Sequence, residues 1–228
     1  MLKVTSQRIF GRVNINLSPV FFDWQGVAPK FFAMVHDALS DDIAMGAGDF
    51  SVFASNNLGE VVARYNIFGG PNNVALNADR LSMEFPNLVP EDSETVLNIV
   101  GKIVSSFRQS FPDHKFASVQ AGVSGHGAIP DEVVVTDYLA RYAIESPNSA
   151  FGDVGTVLLP GARFGVSAAD GTWRAYCTLE QSRILANGLF ADFNMDFSSV
   201  DDGEEFQHWF DRLVSVREGC MGVLDLEW

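Results

Sequence analysis

Leu81-Ser82-Met83-Glu84-Phe85 and Phe193-Asn194-Met195-Asp196-Phe197 carry the same alternation, with Met against Met and Glu84 against Asp196 at an offset of 112 residues. Apolar residues at every second position are the signature of a strand with one buried face. Alternation alone aligns apolar with apolar. It does not align a methionine with a methionine, or a carboxylate with a carboxylate. At the same offset Leu88 stands against Val200, and Gly59 stands against Gly171. The match predicts an internal duplication, with a first α+β repeat over 1–113 and a second over 114–228. At this size the repeats are not solenoid units.

Working outward from the two strands, each half reads β-α-β-β-β-α. In the first half, Val13, Ile15 and Leu17 alternate with polar residues and predict a strand. Pro29 stands where a first helical turn would begin, and Phe31, Phe32, Val35 and Leu39 follow at helical spacing. Strands are predicted near 48–55 and 60–68, joined by a turn at Asn56-Asn57-Leu58-Gly59, and a third over 73–86. A helix capped by Asp92 or Ser93 follows, with Val96, Val100, Ile103, Val104, Phe107 and Phe111 as its stripe. In the second half, strands are predicted near 115–124, 156–168, 172–180 and 187–197, with a hairpin turn at Ala169-Asp170-Gly171. A helix follows Pro130, and another starts at Asp202, which with Glu205 has capping-box spacing. Leu224, Leu226 and Trp228 alternate as a closing strand. The expected fold class is α+β: duplicated units share an antiparallel sheet, with helices packed on one face. One compact pseudo-symmetric body is expected, because no linker separates the halves.

Charge narrows the partners. The net charge is −14, from 29 Asp+Glu against 15 Lys+Arg, and most of the acidic excess follows residue 114. Backbone binding of nucleic acid needs clustered cations, so nucleic acid is disfavoured, as is an anionic membrane surface. No apolar run reaches the length of a membrane-spanning helix and the first residues do not form a signal peptide. A cytoplasmic location is the resulting expectation. Cys177 and Cys220 lie in no CxxC or Cys/His cluster, so they read as reduced thiols.

The chemical motifs are thin. Gly122-Val123-Ser124-Gly125-His126-Gly127 approaches a nucleophile elbow, but its fifth position is His126 where glycine is required. It reads as a glycine-rich strand end and turn. Ser124 and His126 stand two apart and can share one face of a strand. They are the only catalytic lead, and the chain leans away from an enzyme. His36, His114, His126 and His208 have no metal-ligand spacing, no phosphate-binding loop is present, and no metal or cofactor is expected. Asp201, Asp202, Glu204 and Glu205 form an acidic cluster that could dock a basic partner protein. The stripes Phe31/Phe32, Phe107/Phe111 and Phe206/Trp209/Phe210 predict an aromatic core or the walls of an apolar pocket.

Three function classes stay open. The first is a non-catalytic interaction module docking a basic partner through the acidic second half. The second is a binding protein for a small apolar ligand held between sheet and helices. The third is an enzyme with a dispersed site near Ser124 and His126. A monomer and a homodimer are both compatible with the sequence.

Overall fold

The computed structural model describes residues 1–44, 46–53, 62–66, 72–142, 161–198 and 206–228. Two long strands lie at its centre, β2 (Thr5–Ser18) and β7 (Lys115–Ala128), paired antiparallel with Val13 opposite Ala121. On one side of this pair come β6 (Arg80–Leu88), β5 (Asn73–Leu76), β4 (Val62–Asn66) and β3 (Phe50–Phe53). On the other come β10 (Gly188–Phe197), β9 (Trp173–Gln181) and β8 (Ala162–Ser167). The nine strands form one antiparallel sheet in the order β3-β4-β5-β6-β2-β7-β10-β9-β8. A separate parallel pair joins β1 (Leu2–Lys3) to the closing strand β11 (Leu226–Glu227).

The two quoted pentapeptides lie in β6 and β10, the strands that flank the central pair. Met83 pairs with Val13, Val13 with Ala121, and Ala121 with Met195, so both methionines stand on one row across four strands. Leu81, Met83, Phe85, Phe193, Met195 and Phe197 are all buried, on the face covered by helices. Their polar alternates stand on the opposite, open face.

Helix α1 (Trp24–Leu39) and helix α2 (Ser93–Ser110) pack together over the first half, and α4 (Phe206–Val223) covers the second; α3 (Val135–Ala140) is short. Aromatic contacts tie these helices to the sheet. Phe31 of α1 meets Phe107 of α2 with ring centroids 5.7 Å apart, Phe107 meets Phe116 of β7 at 5.7 Å, and Phe116 meets Trp209 of α4 at 6.0 Å. Large rings bury much area per residue, so this chain of contacts joins helix to helix through the sheet.

Three expectations are corrected. The strand read over 73–86 is a hairpin: Asn77 N–H donates to the Arg80 carbonyl and the Asn77 side chain accepts from Asp79 N–H. An Asx turn at Asn77-Ala78-Asp79 folds the segment back, and Leu76 comes opposite Leu81. Among the described residues the first half therefore reads β-α-β-β-β-β-α, one strand more than the second. Helix α1 begins at Trp24, five residues before Pro29. Burial of Trp24 and Ala28 on the same stripe as Phe31, Phe32, Val35 and Leu39 outweighs the hydrogen bond that Pro29 cannot make. Strand β7 runs on through the glycine-rich segment to Ala128, with no turn inside it. The Ala169-Asp170-Gly171 turn is present, with Gly171 at a φ of 74° and Asp170 accepting from the Thr172 N–H and hydroxyl. The turn expected at 56–59, the loop at 146–155 and the helix start at Asp202 lie outside the described residues.

The aromatic chain makes Phe107 a test of where stability resides. Phe107→Ala should lower unfolding free energy by about 3–5 kcal/mol. Phe22→Ala, at a side chain exposed to solvent, should change it by less than about 0.5 kcal/mol. Urea denaturation of the two variants checks both values.

Candidate functional site

The residues of the central row are small. Val13, Ala121 and Val123 present short side chains toward the helices, and Gly11 presents none. Above them lie α2 and α4. Together they leave a cavity of about 360 Å³ between the sheet and the two helices. Val96 and Val100 line it from α2, Phe206 and Phe210 from α4, and Phe85 and Leu88 from β6. Several of these walls are only partly buried, Val13, Ala121, Val123, Val96, Phe206 and Phe210 among them. Apolar surface left accessible between packed layers is the usual makeup of a small-molecule site, and the volume lies at the lower end of the roughly 300–1,000 Å³ such sites span.

Two arginines border this cavity. Strand alternation turns the Arg12 side chain to the open face, where it donates to Asn194 Oδ1 of β10. Asn194 in turn donates to Asp192 Oδ2 at 2.7 Å. Gly122 permits this contact, because a Cβ there would collide with Asn194 Oδ1 and crowd Arg12 Nε. Arg217 belongs to the cavity side. It extends the stripe Phe206, Phe210, Leu213 of α4 by one more turn, and its guanidinium donates to the main-chain oxygen of Trp228, the last residue of the sequence, at 3.0 Å. Burial lowers the pKa of Arg217, partly offset by Cys177 and Glu218, and an arginine remains charged at neutral pH. Sequence reading missed Arg217. The signal was its position on an otherwise apolar stripe.

The chain matches no family model and no curated protein sequence.

The open face carries a second, more polar cleft of about 400 Å³. Ser124 and His126 both line it, with Phe10, Arg12, Glu84 and Asp192 among its other walls. The strand thus places the two residues of the catalytic lead on one face. His126 Nδ1, however, is engaged by the Ser182 hydroxyl at 2.9 Å. Ser182 Oγ also accepts the N–H groups of Ile184 and Leu185, so its own proton is the one left to bond Nδ1, and the imidazole proton is assigned to Nε2. The His126 ring lies between Phe190 at 4.8 Å and Phe10 at 6.4 Å. Ser182 is buried and gave no sequence signal.

Asp201, Asp202, Glu204 and Glu205 lie outside the described residues, as do Gly69-Gly70-Pro71 and Gly152-Asp153-Val154-Gly155. The remaining histidines are apart: His36 beside Tyr65, His114 against Phe21, and His208 exposed on α4. Among the described residues no three His, Cys, Asp or Glu side chains gather to hold a metal ion. No described helix is long and apolar enough to cross a membrane. Cys177 of β9 and Cys220 of α4, distant in sequence, are unbonded, buried and within hydrogen-bonding reach of each other.

Burial, then the Arg8 guanidinium, lower the pKa of His126. As pH falls through the ordinary histidine value of about 6.5, the unfolded chain takes up a proton that native His126 resists, so stability declines toward the lower native value. The stability difference between wild type and His126→Gln should shrink from about pH 7 to about pH 5 in thermal melts. Parallel curves would refute the assignment. Burial also pushes the Cys177 thiol up to about 12 and raises that of Cys220. Because the thiolate is the nucleophile, both cysteines should resist iodoacetamide in the native protein and react on unfolding. Mass spectrometry would read the difference.

Proposed function

We propose that this protein binds a small, predominantly apolar molecule in the cavity between α2, α4 and the centre of the sheet. The observation that carries the reading is the cavity of about 360 Å³ itself, walled by partly accessible apolar side chains on both layers. A filled core would close this space, since interiors pack with few voids larger than a water molecule. The small residues of the central row keep the space open in the folded chain, so a ligand that displaces water from these walls gains the hydrophobic term without reorganising the core.

We also read the two arms of the sheet as copies of one unit, the first with an extra strand among the described residues. The matched pentapeptides support this, because Met83 and Met195 occupy equivalent places on either side of the Val13–Ala121 pair. On this reading the cavity lies on the seam between copies. Two copies then contribute one helix each, α2 and α4, to its walls.

An apolar fluorescent dye such as anilinonaphthalene sulfonate should bind native protein, with Ala121→Leu weakening binding about tenfold, a loss of about 1.4 kcal/mol. The added side chain fills the floor, so the melting temperature should hold or rise. Unchanged dye affinity in a folded Ala121→Leu protein would place the dye elsewhere and remove the support for this reading.

A further inference from the structure

The open-face cleft of about 400 Å³ holds an imidazole that the fold fixes from behind. Ser182 is buried, and its Oγ is itself held by the N–H groups of Ile184 and Leu185. Its hydroxyl donates to His126 Nδ1 at 2.9 Å, which leaves the ring's own proton on Nε2. Phe190 and Phe10 flank the ring. His126 Nε2 makes no hydrogen bond to a described residue, and neither does the Ser124 hydroxyl, two residues before it on β7. Both side chains line the cleft. A donor whose tautomer and ring plane are set by such partners is preorganised, and it loses little freedom when an acceptor arrives.

The remaining polar walls select the ligand. Asp192 stands opposite Ser124 in the strand register, and Glu84 stands opposite Arg12. Each carboxylate already takes one amide donor, Asp192 from Asn194 at 2.7 Å and Glu84 from Asn73 at 3.4 Å, and the Arg12 guanidinium is bonded to Asn194 Oδ1. An ionised carboxylate has about four lone-pair sites, so both keep acceptor capacity. Arg12 offsets only one of the two, which leaves the described walls acidic and disfavours an anion. A cation would meet the Nε2–H donor of His126. Neutral hydroxyls suit both kinds of wall, because each one donates and accepts. We propose that this cleft binds a neutral sugar ring, whose hydroxyls accept from His126 Nε2 and Ser124 and donate to Asp192 and Glu84. The partly buried rings of Phe10 and Phe190 supply the apolar contact for its C–H groups. A few placed polar groups beside aromatic walls are how small-molecule sites combine orientation with affinity. This site lies on the face opposite the apolar cavity and does not rest on that reading.

Saturation-transfer NMR of the full chain tests this with methyl β-glucoside, methyl β-galactoside and methyl α-mannoside, each beside its uronic acid counterpart. At least one neutral glycoside should bind, and its uronide should bind at least about fivefold more weakly, because a carboxylate would face Asp192 and Glu84. Ser124→Ala should weaken the glycoside about fivefold, the effect of one hydrogen bond. Ala121→Leu, on the helix side, should leave its affinity unchanged. In wild-type protein the glycoside should shift the His126 Nε2 resonance in nitrogen-15 spectra, which locates the sugar even if Ser124→Ala does not fold. No binding by any of the three glycosides at millimolar concentration would overturn the proposal. So would equal binding of the uronides, an unmoved His126 resonance, or affinity lost in Ala121→Leu and kept in Ser124→Ala, which would place the sugar in the apolar cavity.

Discussion

The antiparallel pairing of β2 with β7 is the constraint on which the rest depends. It joins residues between 97 positions apart (Ser18 with Lys115) and 123 positions apart (Thr5 with Ala128) along two fourteen-residue strands. Closing so long a loop costs conformational entropy before any contact is made, and the return comes only when the flanking strands add on both sides. Once Val13 stands opposite Ala121, the register of β6 and β10 follows. A slip of one residue would turn Leu81, Met83, Phe85, Phe193, Met195 and Phe197 to the open face. The aromatic contacts through Phe31, Phe107, Phe116 and Trp209 then hold the helices over the one face that this register makes apolar.

The same pairing shapes the cavity. Small residues at the centre of the sheet lie beneath two helices that belong to different halves of the chain. Each helix packs well over its own half, and the space between them is left to Val96, Val100, Phe206 and Phe210. The glycine-rich segment of β7 serves both faces. Gly122 lets Arg12 reach Asn194 across the open side. Gly127, on the helix side, lets Val4 and Trp228 lie close over the sheet, since a Cβ there would collide with Val4 Cγ1 and stand 3.1 Å from the indole. A segment that resembles a nucleophile elbow is thus spent on close approach, and His126 on its bond to Ser182.

Alternation and helical spacing made the sheet strands, α2 and the closing strand legible, because these signals come from which side of each element is buried. The hairpin at Asn77-Ala78-Asp79 was not read, because its apolar alternation continues nearly unbroken across the turn and the short polar residues that form it are common in loops. The start of α1 was misplaced because a local rule about proline was weighed without knowing that Trp24 would be buried. The aromatic stripes on α2 and α4 were legible as stripes. Whether they meet or leave space was not, since that depends on the separation of two helices set by the sheet beneath them.

What the amino-acid sequence determined by itself is the class of fold, the faces of its main elements and the matched pair of strands, because burial periodicity is a local property of the chain. The tertiary structure alone decided the order of the nine strands, the union of the two halves at β2 and β7, the meeting of Cys177 with Cys220 and of His126 with Ser182, and the opening between α2 and α4. It also decided that Arg217 would border that opening and bond Trp228. Each of these is a relation between segments far apart in the chain, and such relations arise only when the whole sheet closes.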